Sequence, residues 1–421
     1  MALLTFPATR AAQPGAACTK TMFNTFSEST WKGARGWLKA VSCCTFALGL
    51  PAAAHAQGTL AITGLIDGGL AYVDDIGGSH GTRALQAKSG DINVNRWALS
   101  GNEPLSPDVS TLFMLANGFS VTNGAMGQQG RMFGFQSYVG LASHASGTVT
   151  FGRQFDSMLQ FVQPFALGGT PYGGVAFAHP FDNDDLANYT RTNNAVKYTS
   201  PMLNGFQFGA TYGFSNEAGA FSNNRGYSVA GTYAHGACSA GASYVQFDGE
   251  SNLPTANTQG AEPAGAPFNA ARQRTAGLGG ACTWDRLRVS AIVTRTQLDD
   301  ATSINNVADT PIALRGEDIV FRNAELNARY ALTNRWTVAT AYTFTSGSFD
   351  SPSGHASPTW HQFGLIGIDA LSTRTDAYAE AIYQRANGLA GTGIPGAQIS
   401  NFSHATGPNQ FVLALGLRHR F

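Results

Sequence analysis

Several side chains in this sequence could do chemistry, and their spacing narrows which chemistry. Nine histidines are scattered along the chain: His55, His80, His144, His179, His235, His355, His361, His404 and His419. None falls at zinc-ligand spacing, and none can be tied to a serine nucleophile. The stretch "GLGGAC" at 277–282 lies inside an alternating pattern, where no helix follows to present its N-terminus to a phosphate. Catalysis, a metal site and a cofactor are therefore not expected. What remains is charge. Asp182, Asp184 and Asp185 close a segment that Arg153 precedes and that Arg191 and Lys197 follow, while Arg96 and Asp67 stand earlier. Charges of two signs facing each other across a gap create a field that sorts solutes by sign. Such a field needs a scaffold that holds its walls apart.

The bulk composition points to that scaffold. Only 12% of the 421 residues are charged, 43% are hydrophobic and 50 are glycine, which argues against disorder. No run of 18 or more apolar residues occurs, so a helical membrane protein is excluded. The formal net charge of zero removes the electrostatic case for nucleic acid. At the N-terminus, Lys32, Arg35 and Lys39 precede the short apolar run "AVSCCTFALGLPAAA", and "AHA" at 54–56 supplies small residues for cleavage. Residues 1–56 thus read as an export signal, with the mature chain starting at Gln57. Residues 1–21, ahead of Met22, read as a possible mis-called start. A lipoprotein reading through "AVSC" at 40–43 is weaker, because Ala40 stands where an aliphatic residue is expected and the apolar run would be cut in half. Removing the segment leaves 26 − 5 = 21 basic and 26 − 1 = 25 acidic residues, and only Lys88 and Lys197 among the basic ones are lysines.

From residue 57 onward the hydrophobic period is two. Alternating segments are expected at 59–73, 91–102, 109–120, 132–144, 146–155, 194–201, 205–215, 227–236, 238–248, 272–284, 287–298, 320–333, 336–347, 358–371, 375–386 and 408–421, sixteen strands in all. Connectors such as "AHGA", "TWDR" and "LTNR" are tight, whereas 74–90, 156–193, 249–271, 299–319 and 387–407 are long. In "TLAITGLIDGGLAY", Leu60, Ile62, Ile66, Leu70 and Tyr72 fall on one face and Thr59, Thr63 and Asp67 on the other. The final strand repeats this, with Phe411, Leu413, Leu415, Leu417, His419 and Phe421 opposite Gln410, Gly416, Arg418 and Arg420. About eight strands already give a packed barrel interior, so sixteen imply a water-filled lumen with lipid outside. The pattern predicts an all-β, 16-stranded antiparallel transmembrane barrel with short turns at one end and long loops at the other.

The sequence resembles the trimeric general porins of Gram-negative outer membranes, of the Neisseria and Burkholderia type. The resemblance covers the whole mature chain, 57–421. It is carried by "TLAITGLIDGGLAYV" at its start, "NRWALSGNEPL" at 95–105, "SYVGLASHASGTVTFGRQFD" at 137–156 and "NNAVKYTSPMLNGFQFGATYGF" at 193–214. "HQFGLIGIDALSTRTDAYAEAIYQRA" at 361–386 and the closing "GLRHRF" complete it. It implies a diffusion channel for small hydrophilic solutes and ions, a third long loop folded into the lumen, and a homotrimer surrounded by outer-membrane lipid and lipopolysaccharide. It also implies a terminal Phe421 read by the barrel-assembly machinery. The alternatives are a substrate-selective channel of the same architecture and an adhesin whose barrel is incidental.

Within that frame, residues 156–193 are the expected constriction loop, with Asp182, Asp184 and Asp185 as its acids and Asp67 inward by parity. Arg96 has the opposite parity to Trp97 and Leu99 and matches the family's pore arginine. Arg191 and Lys197 flank the return from the loop. Arg153 shares the parity of Val149 and Phe151, so its alternatives are an anchor at the loop base or a subunit contact. Departures from the family weaken the constriction: Ser100 and Phe135 stand where basic residues are expected, and "NEPLS" keeps only Glu103. Equal counting about the 249–271 loop sets Cys238 opposite Cys282, as a disulfide in an oxidising compartment or as two buried thiols.

Overall fold

The computed structural model describes residues 58–77, 83–187, 190–249, 259–262, 266–305, 310–351 and 354–421. The export segment 1–56, with its start and cleavage site, lies outside these residues, as does His80. Sixteen antiparallel strands form one sheet that closes on itself, because Leu65–Val73 of the first strand pairs with Val412–Arg420 of the last. Phe421 completes the seam: its amide donates to the Gly64 carbonyl, and the Gly64 amide donates back.

The outer face is apolar, whereas the inner face is polar except where inward-packed connectors cover apolar wall residues such as Ile292, Phe321 and Ile382. Leu60 (69% exposed), Leu278 (57%), Leu326 (59%) and Leu415 (57%) point outward. Thr294, Asn323, Glu325 and Gln384, on the strands Leu287–Ile304, Ile312–Ala331 and Thr375–Asn387, are buried inside. Residue alternation dictates this directly, since successive side chains of a strand point to opposite faces. Tight turns at 105–108, 144–146, 200–205, 236–237, 285–286, 332–335 and 371–374 collect at one end of the strands, and the long connectors at the other.

Three departures from the expected boundaries have local causes. The second strand is broken, not continuous over 91–102: Ala84–Ser89 and Arg96–Pro104 both pair with Thr59–Val73, and residues between them leave the ladder. There the Asp67 carboxylate accepts the Ile92 and Asn93 amides at 3.1 and 3.0 Å, and Gly90 turns at φ +80°. The 299–319 stretch is largely strand, because Leu287–Ile304 and Ile312–Ala331 continue their pairing through register shifts around Ala301. Finally, the barrel is entered by two connectors. Residues 155–191 and also 388–408 pack inward, the latter through Ile399 and Phe402 against Ile382 and Val412 of the wall. Cys238 opposes Cys282 in register, and the two form a disulfide next to the 236–237 turn.

Candidate constriction site

The inward connector begins where the Gly147–Gln154 strand ends, and every few residues it is tied to the wall. Asp156 caps the short helix Ser157–Phe161, its carboxylate accepting the Leu159 amide at 2.9 Å. Met158, Val162 and Phe165 bury themselves against Val245, Ala281 and Ile292, apolar residues on the inner face of the barrel. Farther on, the Leu167 amide donates to Glu325 at 2.7 Å, Arg418 donates to the Pro171 carbonyl at 3.0 Å, and the Val175 amide donates to the Asp91 carbonyl at 3.1 Å. Phe177 lies over Gly364, where an added Cβ would come within 2.3 Å of its ring.

The acidic run closes this connector, and its carboxylates turn into protein. Asp184 is fully buried, with its carboxylate 2.6 Å from His179 Nδ1. It also accepts the Thr294 hydroxyl, while His179 Nε2 lies 3.0 Å from Glu325. Burial alone would push the imidazole's pKa down. The two flanking carboxylates outweigh that and hold it at about 10, so His179 is an imidazolium clamped between loop and wall. Its charge holds the Asp184 carboxyl below the usual range against the effect of burial. Asp182 accepts the Ala187 amide at 2.8 Å and Asp185 the Thr190 amide at 2.6 Å. Burial and the neighbouring Asp182 and Asp156 push the Asp185 carboxyl well up.

The basic side is built differently. Arg96 donates to the Val94 carbonyl at 3.0 Å and stacks on Phe135, its guanidinium carbon 5.0 Å from the ring centroid. Arg191 stacks on the same ring at 4.7 Å and on Phe155 at 4.8 Å. Phe135 thus carries two arginines by cation–π contact. Arg418 and Arg420 share Asp376, each with a nitrogen 2.7 Å from it, and both act on Arg96 as like charges. Arg153 sits at the register shift before the loop, donating to the Gly134 carbonyl at 2.8 Å and to Asn193. That placement fits its anchoring alternative. Lys197 donates to the Phe155 and Asp156 carbonyls at 3.0 and 3.3 Å and holds the loop base. Asp67 points inward but is covered, accepting the Tyr378 hydroxyl at 2.6 Å besides the two amides. Arg96 and Arg191 therefore come together; Asp67, Arg153 and Lys197 bind scaffold, and the three loop acids face wall or loop.

Sequence reasoning passed over His179, Glu325 and the inward 388–408 connector. The first signal was a histidine five residues ahead of Asp184 inside a long connector, and the last was Ile394, Ile399 and Phe402 in an otherwise small and polar loop. A strand-lined lumen narrowed by two inward-packed connectors is suited to passing small solutes.

Residues 40–389 match the Gram-negative porin family. The chain belongs to that family. This porin is 28% identical over 284 residues to an outer membrane porin protein of Bordetella pertussis, a match covering 61% of this chain and 69% of that protein. Among solved structures it is similar to the anion-selective porin from Comamonas acidovorans, with a TM-score of 0.67 and 20% identity. That match covers 87% of this chain and all of the other. It is also similar to the trimer form of OmpT from Vibrio cholerae, with a TM-score of 0.59 and 14% identity over 86% of this chain and 99% of that one. These two likenesses carry the fold.

Proposed function

We propose that this porin forms a water-filled channel in the outer membrane for passive diffusion of small hydrophilic solutes and ions, and that it favours anions. The observation that carries the preference is the asymmetry of the constriction. Asp184 is paired with His179, and Asp182 and Asp185 accept amides of their own loop, whereas Arg96 feels Arg418 and Arg420 as like charges and those two share the single acid Asp376. A positive wall in a narrow, low-dielectric setting attracts anions and repels cations. Homotrimeric assembly is part of the proposal and is supported by the trimeric neighbour; lipid and lipopolysaccharide as surroundings belong to it too, the exposed apolar belt supporting contact with lipid chains. Export through residues 1–56 and recognition of Phe421 by the assembly machinery complete it. The test is the reversal potential of refolded protein in a planar bilayer under a KCl gradient. An anion-directed potential is expected. A cation-directed one would overturn the preference, and folded protein without conductance steps would overturn the channel.

A further inference from the structure

We infer that the outward face around Arg295 and Arg322 docks the phosphorylated headgroup of an outer-leaflet lipid. The inference rests on the outer-membrane reading above. Arg295 and Arg322 lie directly opposite each other on neighbouring strands, both exposed and both on the parity of Val293 and Leu326, the lipid-facing one. Like charges directly opposed across a sheet destabilise it. Among the described residues nothing offsets them: Arg295 donates only to Gln297, at 3.1 Å, and Arg322 makes no ion pair or hydrogen bond. The neighbouring outward cations are spoken for, since Arg274 and Arg272 pair with Asp299, at 2.5 and 3.8 Å.

Height along the strand selects the partner. Trp284, Leu287 and Tyr330 form one row beside the tight turns, and Arg295 stands eight residues farther along the Leu287–Ile304 strand. At about 3.3 Å per residue and a tilt of about 40°, this places the arginines roughly 20 Å above that aromatic row, near the far edge of an apolar band about 25 Å tall. The outward residues between are Val289, Ala291 and Val293. Two guanidiniums at that level, beside Ser346, the residue opposite Arg322 on the next strand, meet the charged headgroup layer of the leaflet on the long-loop side. Farther out the face turns acidic, with Asp318 opposite Asp350, so a polyanion lying along the strands is disfavoured. A compact phosphomonoester at the interface fits, because guanidinium binds phosphate bidentately.

The test uses the full barrel refolded into phosphatidylcholine vesicles with or without a minority of bisphosphorylated lipid A, reading the thermal unfolding midpoint. The phosphorylated lipid should raise the midpoint of the wild type. In R295Q/R322Q that rise should vanish and lipid A affinity should fall roughly tenfold or more, the loss expected of charge-assisted hydrogen bonds. In phosphatidylcholine alone the variant should match or exceed the wild type, because the opposed charges are gone. R295K/R322K, which keeps both charges, should retain part of the rise. An equal rise in wild type and R295Q/R322Q would overturn the assignment. So would an equal rise on adding inorganic phosphate to phosphatidylcholine vesicles, which would reassign the pair to small anions. Channel conductance of the same samples is read separately, so a failed channel reading and a failed lipid site are told apart.

Discussion

His179 shows how a buried charge can hold a loop. With Asp184 on one ring nitrogen and Glu325 on the other, it bridges connector and wall where neither acid alone could be left unpaired. Replacing it by glutamine strands two buried carboxylates, and a fall in unfolding free energy of roughly 3–5 kcal/mol is expected. The sign of the pH dependence follows. The folded imidazole titrates at about 10, above its ordinary value of 6.5, so the folded state holds the proton more tightly. This contribution is complete below about pH 6.5 and is lost as pH rises through about 10. Denaturant midpoints measured across that window should slope downward in the wild type and lose that slope in H179Q. Arg96 offers the functional counterpart. A unit charge about 6 Å from an ion in water is worth roughly 0.7 kcal/mol, so Arg96→Glu swings the balance by about 1.4 kcal/mol before screening. The chloride-to-potassium permeability ratio should fall several-fold; an unchanged ratio would remove Arg96 from the ion path.

At the scale of elements, the strands were the legible part, because an alternating strand between lipid and water must write both environments into its sequence. The first, Thr59–Val73, and the ninth, Cys238–Asp248, begin and end where their period does. Where polar residues interrupted the period, as at Asp299 and Asp300, the reading stopped although the hairpin continues, since backbone pairing tolerates a bulge that hydropathy does not record. Two glycines of the first strand leave no room for a Cβ at the seam, Gly69 against the Leu415 carbonyl and Gly64 against the terminal ring. A Cβ at Gly64 would stand 2.2 Å from the Phe421 ring, so Gly64→Val should dislodge the terminal phenylalanine and lower the refolded fraction seen as heat-modifiable mobility on gels. A variant that refolds as the wild type does would separate ring placement from closure. The disulfide closes a loop spanning 44 positions, so C238S/C282S should lose about 2–4 kcal/mol of stability, with conductance unchanged because the cystine lies on the outward face near the tight turns.

For the whole molecule, what decides passage is how much of the lumen the loops leave, and this was the least legible level. Wall residues carry a period; a loop folded inside has none, and its apolar side chains resemble those of any loop packed on itself. Only tertiary contact distinguishes Phe402 under the loops from a phenylalanine at a surface. The two inward connectors are held by different sets of contacts. Residues 155–191 are fixed by the charged clamp at His179 and by Arg418, whereas 388–408 is fixed by apolar packing, by Lys88 donating to the Asn401 carbonyl at 2.8 Å, and by wall glutamines: Gln384 accepts the Gln398 amide at 2.7 Å and Gln410 accepts the Ile399 amide at 2.7 Å. Removing 390–406 should therefore leave the barrel closed, because Thr375–Asn387 and Asn409–Arg420 pair directly along their length and Gln384 and Gln410 would be released to water. The expected outcome is a folded protein of larger single-channel conductance whose anion preference survives, since the arginines of the constriction are not touched. Loss of the preference along with the gain in conductance would instead mean that 388–408 shapes the selective passage itself and that the constriction is shared by both loops.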